Sequence, residues 1–214
     1  MEQFLHSSVL LTALEASDMT APIEPAAVAQ LFNDAHTYRA WTDRAVDESL
    51  LRELYETMRW APTSLNSNPG RFVFVRSAEG KERLCRHVDP KNVEQTMTAA
   101  CCVIVAEDIE FYELLDQLVP GFDVRPILRE KLDTAREHGR RNTTIQGAYL
   151  ILAARALGLD AGPMQGFDND GLDADFFPDG RWKSDFLINL GYGAADGFRP
   201  RGPRLCFDDA CQLV

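Results

Sequence analysis

Four separated stretches of the 214-residue sequence gather the side chains best suited to hold a charged, hydrogen-bonding ligand. AHTYRAW (residues 35–41) places an imidazole, a hydroxyl and a guanidinium close together in His36, Thr37 and Arg39. Polar and cationic groups spaced in this way just after a helix can face a phosphate together, although the same residues also suit a helix-ending loop with ordinary surface charges. WAPTSLNSNP (60–69) carries Thr63, Ser64, Asn66 and Asn68 on a loop bounded by Pro62 and Pro69, and Ser and Asn side chains offer both donors and acceptors. GPMQGF (162–167) sets Pro163, Met164, Gln165 and Gly166 among glycines that permit close approach to the main chain; a plain strand-to-helix turn would look similar. FRPRGPRLCFDD (198–209) offers Arg201 and Arg204, with Arg199 as a weaker third.

Several other chemistries lack their signatures. No GxGxxG follows an expected strand, and there is no P-loop, no GxSxG elbow and no HExxH zinc motif. The five cysteines include no CxxC. Cys101 and Cys102 are adjacent, so on a strand they point to opposite faces and cannot readily chelate one ion. With an odd count, no metal spacing and no signal-peptide pattern, the cysteines are expected to be reduced packing residues of a cytoplasmic protein without a metal site.

The elements that must position the four stretches are legible in outline. Val28, Leu31 and Phe32 predict a short helix over residues 25–36 behind a helix-starting Pro25. A second helix is predicted from the N-cap Asp47, with Leu50, Leu51, Leu54, Tyr55 and Met58 on one face and Pro62 beyond its end. RFVFVR alternates as a strand and precedes a charged helix at about 79–87. CCVIVAE is apolar and β-branched throughout, as a strand buried on both faces should be. Residues 126–157 predict a long helix with a stripe of Ile145, Tyr149, Leu152 and Ala156; nearby Gly147, Ala148, Ala153 and Ala154 suit a helix approaching closely at a dimer seam. Gly158 ends it as a C′ glycine. The same small residues would equally suit a central helix in a bundle. A strand at 160–162, a helix at 170–177 and the strand DFLINLGYG complete one α+β domain over 21–214, while residues 1–20 read as a loosely attached extension.

Composition narrows the partners. The chain is 45% hydrophobic with a formal net charge of −11, so its average field repels nucleic acid. No stretch reaches the roughly 18 apolar residues of a membrane span. The local arginine groups, Arg136, Arg140 and Arg141 in the middle and Arg199, Arg201 and Arg204 near the end, are candidates for a small anion or for solvated ion pairs.

Taken in order, the four stretches resemble the flavin-binding segments of the nitroreductase family. AHTYRAW is similar to the family's RRSxRxF segment, with Ala35 where many members carry arginine, and WAPTSLNSNP to its APSxxNxQP loop, with Asn68 in place of glutamine. The resemblance covers roughly residues 26–214. It implies a nitroreductase-like α+β fold, a central mixed or antiparallel sheet surrounded by helices, and an intertwined homodimer. It implies FMN bound by His36, Thr37, Arg39, Pro62, Thr63, Ser64, Asn66, Asn68, Pro163, Met164, Gln165, Gly166, Arg201 and Arg204. The Gln165 and Gly166 main chain would lie near the flavin N5, with NADPH or NADH as transient reductant. WAPTS, AEGKERL, RALGLD, GPMQGFD and LINLGYG are most similar to the malonic semialdehyde reductase subgroup of the Rut pyrimidine-degradation pathway, which implies reduction of 3-oxopropanoate to 3-hydroxypropionate. The alternatives are a broad nitroreductase or quinone reductase, a non-catalytic FMN-binding protein, and a helical module without cofactor.

Overall fold

The computed structural model describes residues 21–121 and 123–214, so the expected N-terminal extension lies outside the described residues. Helix α1 (Pro25–Val28) continues as a π-helical turn through Ala29–Asn33. Then come α2 (Glu48–Met58), β1 (Gly70–Val75), α3 (Ala78–Cys85), α4 (Pro90–Thr98) and β2 (Cys101–Asp108). Short helices α5 (Leu115–Leu118) and α6 (Arg125–Glu130) lead into the 25-residue α7 (Leu132–Ala156), followed by β3 (Asp160–Met164), α8 (Asn169–Phe176), β4 (Trp182–Gly191) and α9 (Phe207–Ala210).

The four strands form one antiparallel sheet in the order β1-β2-β4-β3. β2 lies inside it, as its unbroken apolar run requires, and Cys101 to Ala106 are fully buried. Strand alternation divides the core. Cys101, Val103 and Val105 join Phe186, Ile188 and Leu190 beneath α2 and α7. Cys102, Ile104 and Ala106 join Leu187 beneath α3 and α8. The two adjacent cysteines therefore serve opposite faces, and burial pushes the Cys101 thiol up to about 12, which leaves it protonated packing material rather than a nucleophile.

Two expectations need correction. The long helix is broken at Lys131, whose backbone (φ −122°, ψ 59°) leaves the helical region between α6 and α7. The small residues of α7 also divide, with Ala148 and Ala156 exposed and the others turned toward the sheet. Gly147, Ala153 and Ala154 are buried, with Gly147 lying directly against the Phe186 ring. Ile145 and Tyr149 are instead 41% and 39% exposed. The inward face must be small because α7 crosses its own sheet, and an aromatic ring on β4 fills the space a side chain would take.

Gly158 adopts φ +76° and closes α7 as expected. Gly162 has a different role. A Cβ there would stand 2.5 Å from the Tyr38 carbonyl oxygen, so β3 and residues 35–41 approach closely only because the position is glycine. Gly162→Ala is expected to cost about 1–3 kcal/mol through this backbone clash, read as a lower denaturant midpoint; an unchanged midpoint would show that the approach is not tight.

Candidate functional site

Residues 35–41 run extended between β3 and the chain leaving β4. Tyr38 N donates to Ala161 O (3.4 Å), Arg39 N to Gly197 O (2.7 Å) and Ala194 N to Ala40 O (3.1 Å). The His36 ring stacks on Phe198 with centroids 4.0 Å apart, and Tyr38 meets the same ring edge-on. These contacts bring the first and fourth stretches to one cavity of about 350 Å3, lined by His36, Thr37, Arg39, Arg155, Arg199, Arg201 and Arg204 among others. Sequence inspection had both ends of this site but not Arg155, whose only signal was a cation in the last turn before Gly158.

Arg155 is the most constrained of the five arginines. Its Nη1 donates to Leu31 O (2.8 Å), while its Nε is buried without a partner. Burial, then the neighbouring Arg201, hold its guanidinium below its usual value, though an arginine remains charged. Arg201 is fixed by donating Nη2 to Asn33 O (2.6 Å) and Ala35 O (2.9 Å). Among the described residues none of the five cations lies within 4.0 Å of a carboxylate. In a chain of net charge −11, five arginines converging with no ion pair among the described residues concentrate positive charge where a small anion would be attracted.

The third stretch closes the neighbouring strand. Pro163 and Met164 pair with Ile188 and Leu187, and Gly166 O accepts from Asp89 N (2.9 Å) and Asn92 Nδ2 (3.3 Å). Gln95 Nε2 donates to Asn92 Oδ1 (2.9 Å) and lies 3.5 Å from Met164 Sδ. Asn92 and Gln95 thus belong beside Gln165 and Gly166. They come from α4, which the sequence reading passed over although Asp89-Pro90 is a helix-start pattern.

The second stretch stands apart. Its turn, with positive φ at Leu65, Asn66 and Asn68, is held by Ser64 N donating to Asn142 Oδ1 (2.8 Å) and by Asn66 Nδ2 donating to Leu118 O (3.0 Å). Asn68 folds back, donating Nδ2 to Asn66 O (2.7 Å), and Thr63 Oγ1 accepts from Asn68 N (3.2 Å). Pro62 precedes this turn, which leads into β1, the far edge of the sheet from β3, three strand spacings or about 14 Å away. Within one chain, Pro62, Thr63, Ser64, Asn66 and Asn68 do not meet the arginine cavity.

The model for the nitroreductase family matches residues 33–192, which span the first three stretches and all the strands. The chain belongs to the nitroreductase family. It is 58% identical over 185 residues to a protein of Rhodopseudomonas palustris (strain TIE-1), covering 86% of this chain and 94% of that one. It is 51% identical over 196 residues to a protein of Stutzerimonas stutzeri (strain A1501), covering 92% and 100%. Both relatives are provisionally named NADH dehydrogenase/NAD(P)H nitroreductase. A nitroreductase of Exiguobacterium sibiricum 255-15, solved in complex with FMN, shares the fold with a TM-score of 0.77 at 20% identity, covering 86% of this chain and 96% of that one.

The chain carries a second polar cavity, of about 450 Å3, where β2 ends and β4 begins. A bulge makes it. Val105 pairs with Phe186 but Ala106 with Ser184, so Asp185 is the extra residue, and bulges re-aim the side chains they displace. Asp185 turns toward α7 and accepts from Thr144 Oγ1 (2.8 Å). Glu107 faces the same way, its Oε2 buried without a partner. Burial, then Asp185, push its carboxyl up to about 7 against the opposing pull of Arg140 and Arg136. The folded state therefore binds this proton more tightly than the unfolded chain, and Glu107's contribution to stability falls as pH rises from 4.5 to about 7. Glu107→Gln is expected to raise the denaturant midpoint at about pH 8 and to change it little at about pH 5. Equal midpoint shifts at the two pH values would remove the basis for the raised carboxyl.

Proposed function

We propose that the chain is an FMN-dependent oxidoreductase using NADPH or NADH. The observation that carries the reading is the arginine cavity, with five cations that lack carboxylate partners and a buried Arg155 Nε that lacks an acceptor among the described residues. That donor set suits a phosphate dianion of the kind a flavin mononucleotide brings. When bound, FMN supplies hydride chemistry between a nicotinamide and an electron-poor substrate. His36, Thr37, Arg39, Arg155, Arg201 and Arg204 would hold its phosphate. Pro163 and Met164 carry the chain to Gln165 and Gly166, whose main chain, with Asn92 and Gln95, would face its ring.

A second copy of the chain would complete the site. Pro62, Thr63, Ser64, Asn66 and Asn68 are too far away to act within one chain, so their flavin contacts would be made to the cofactor of the partner subunit. Exposed Ile145 and Tyr149 on α7, Tyr55 on α2, and Leu205, Phe207 and Leu213 near the C-terminus supply apolar surface for such a homodimer.

The proposed substrate is 3-oxopropanoate, reduced to 3-hydroxypropionate, supported by the similarity of five sequence phrases to malonic semialdehyde reductases. A nitroaromatic or quinone substrate is the second reading, favoured by the names of the relatives at 58% and 51% identity. Reconstitution with FMN should give the visible absorption of oxidised flavin, bleached anaerobically by NADPH; mixing with 3-oxopropanoate, a nitroaromatic or a quinone then ranks the acceptors. Colourless protein would sink the flavin reading, and an FMN-retaining monomer at micromolar concentration would sink the shared site. Arg155→Met and Arg201→Met should each weaken FMN binding about 10- to 100-fold, the loss of one charge-assisted hydrogen-bond donor set, measured by quenching of flavin fluorescence.

A further inference from the structure

The cavity at the β4 bulge has a charged lining of Glu107, Arg140, Lys183 and Asp185, and is shared by Gln165 of the proposed flavin-facing loop. We propose that it is a proton-coupled anion subsite, in which Arg140 and the Glu107 carboxyl together hold the carboxylate of a small organic acid.

Three observations converge on this occupant. Arg140 is anchored weakly. Its Nε lies 3.7 Å from Asp185 Oδ1, beyond a good hydrogen bond, and among the described residues its guanidinium donates no hydrogen bond. Asp185, by contrast, is already satisfied by Thr144. Glu107 Oε2 is buried with no partner among the described residues, a costly state unless a ligand supplies one. The charge balance also depends on one proton. Lys183 Nζ lies 3.7 Å from Asp173 Oδ2 and Arg140 Nε 3.7 Å from Asp185 Oδ1, so with Glu107 ionised the site carries an excess negative charge that repels an anion, and with Glu107 neutral that excess is gone. An anion is then admitted, and the carboxyl can donate to it.

The charged groups acting on Glu107 are Asp185 from β4 and Arg140 and Arg136 from α7, while Lys183, opposite it on β4, reaches Asp173 of α8 (3.7 Å). A bound carboxylate adds a negative charge beside them and favours the neutral carboxyl further. By reciprocity, the neutral carboxyl favours the bound anion. An amine would meet the like charge of Arg140, and a neutral amide could accept a hydrogen bond from the guanidinium but would lack the ion-pair attraction of a carboxylate.

The inference rests on the proposed function only in treating the ligand as the substrate's carboxylate end, so binding is tested apart from turnover. 3-Hydroxypropionate and its amide are titrated calorimetrically into FMN-loaded and FMN-free protein. With the Glu107 carboxyl near 7, affinity for the acid should be about 30-fold weaker at about pH 8.5 than at about pH 6, with proton uptake visible as a buffer-dependent heat. Arg140→Met should weaken binding at least about tenfold at the lower pH, a typical loss for a charge-assisted contact. Glu107→Gln, whose amide still donates, should keep the low-pH affinity within a few-fold and lose the pH dependence. A pH-independent wild type, an Arg140→Met variant that binds normally, an amide that binds as well as the acid, or no binding to either form would each overturn the proposal. Failure to take up FMN would overturn the proposed function instead, because the FMN-free titration reads the cavity alone.

Discussion

The constraint on which the rest of the structure depends is the double burial of the β2–β4 ladder. From Cys101 to Ala106 every β2 side chain is sealed beneath one helical layer or the other, so charge can enter only where the ladder ends. Two consecutive carboxylates stand there and meet opposite fates because a strand alternates its faces. Asp108 accepts from Arg71 Nη2 (2.7 Å) and from Arg181 Nε (2.8 Å) and Nη2 (3.0 Å), a fully paired anion. Glu107, one residue earlier, faces α7 and has a buried oxygen with no partner. The difference arises from strand geometry and the bulge, since the residue types are nearly equivalent.

α7 translates that sheet into a site. Its small inward face lets it cross β4 closely, with Gly147 against the Phe186 ring. Its first half carries Asn142, which fixes the Ser64 turn, and His138, stacked on Phe111 with Nε2 3.1 Å from Ser67 Oγ. Its last turn carries Arg155 into the arginine cavity. Asn142 and Arg155 are thirteen residues apart on one continuous helix, about 20 Å along its axis. One helix therefore holds two flavin-related stretches at a fixed separation, which suits a site made by two chains better than one made by one.

Electrostatics sharpens the contrast between the two cavities. An excess of acidic residues over the whole surface does not prevent five arginines from converging, because side-chain charges more than a Debye length away, about 8–10 Å in ordinary salt, are largely screened. The arginine cavity has a fixed positive charge and suits a permanent dianion. The cavity at the bulge mixes both signs, and its net charge turns on a single carboxyl held up to about 7. The middle arginines divide in the same way. Arg141 is paired with Glu137 one helical turn away, whereas Arg140 faces the cavity with only a loose 3.7 Å approach to Asp185.

By itself the sequence determined most of the helices and strands, though not α4 or the break at Lys131, and also that β2 is doubly buried and which four stretches are polar enough to serve a ligand, because these follow from period, turn chemistry and side-chain type over short spans of chain. It also carried the family resemblance through the order of those stretches. Only the tertiary structure decided which of them meet. Residues 35–41 and 198–204 are far apart in the chain yet share Phe198 and the Gly197 carbonyl, whereas the Ser64 turn ends up at the opposite sheet edge. Arg155, Asn92 and Gln95 were invisible as site residues because a helix period fixes a direction around an axis but not what lies opposite it. The bulge at Asp185 was equally hidden. A one-residue slip in strand pairing depends on the partner strand and on Thr144 across the gap, and so does the environment it gives Glu107.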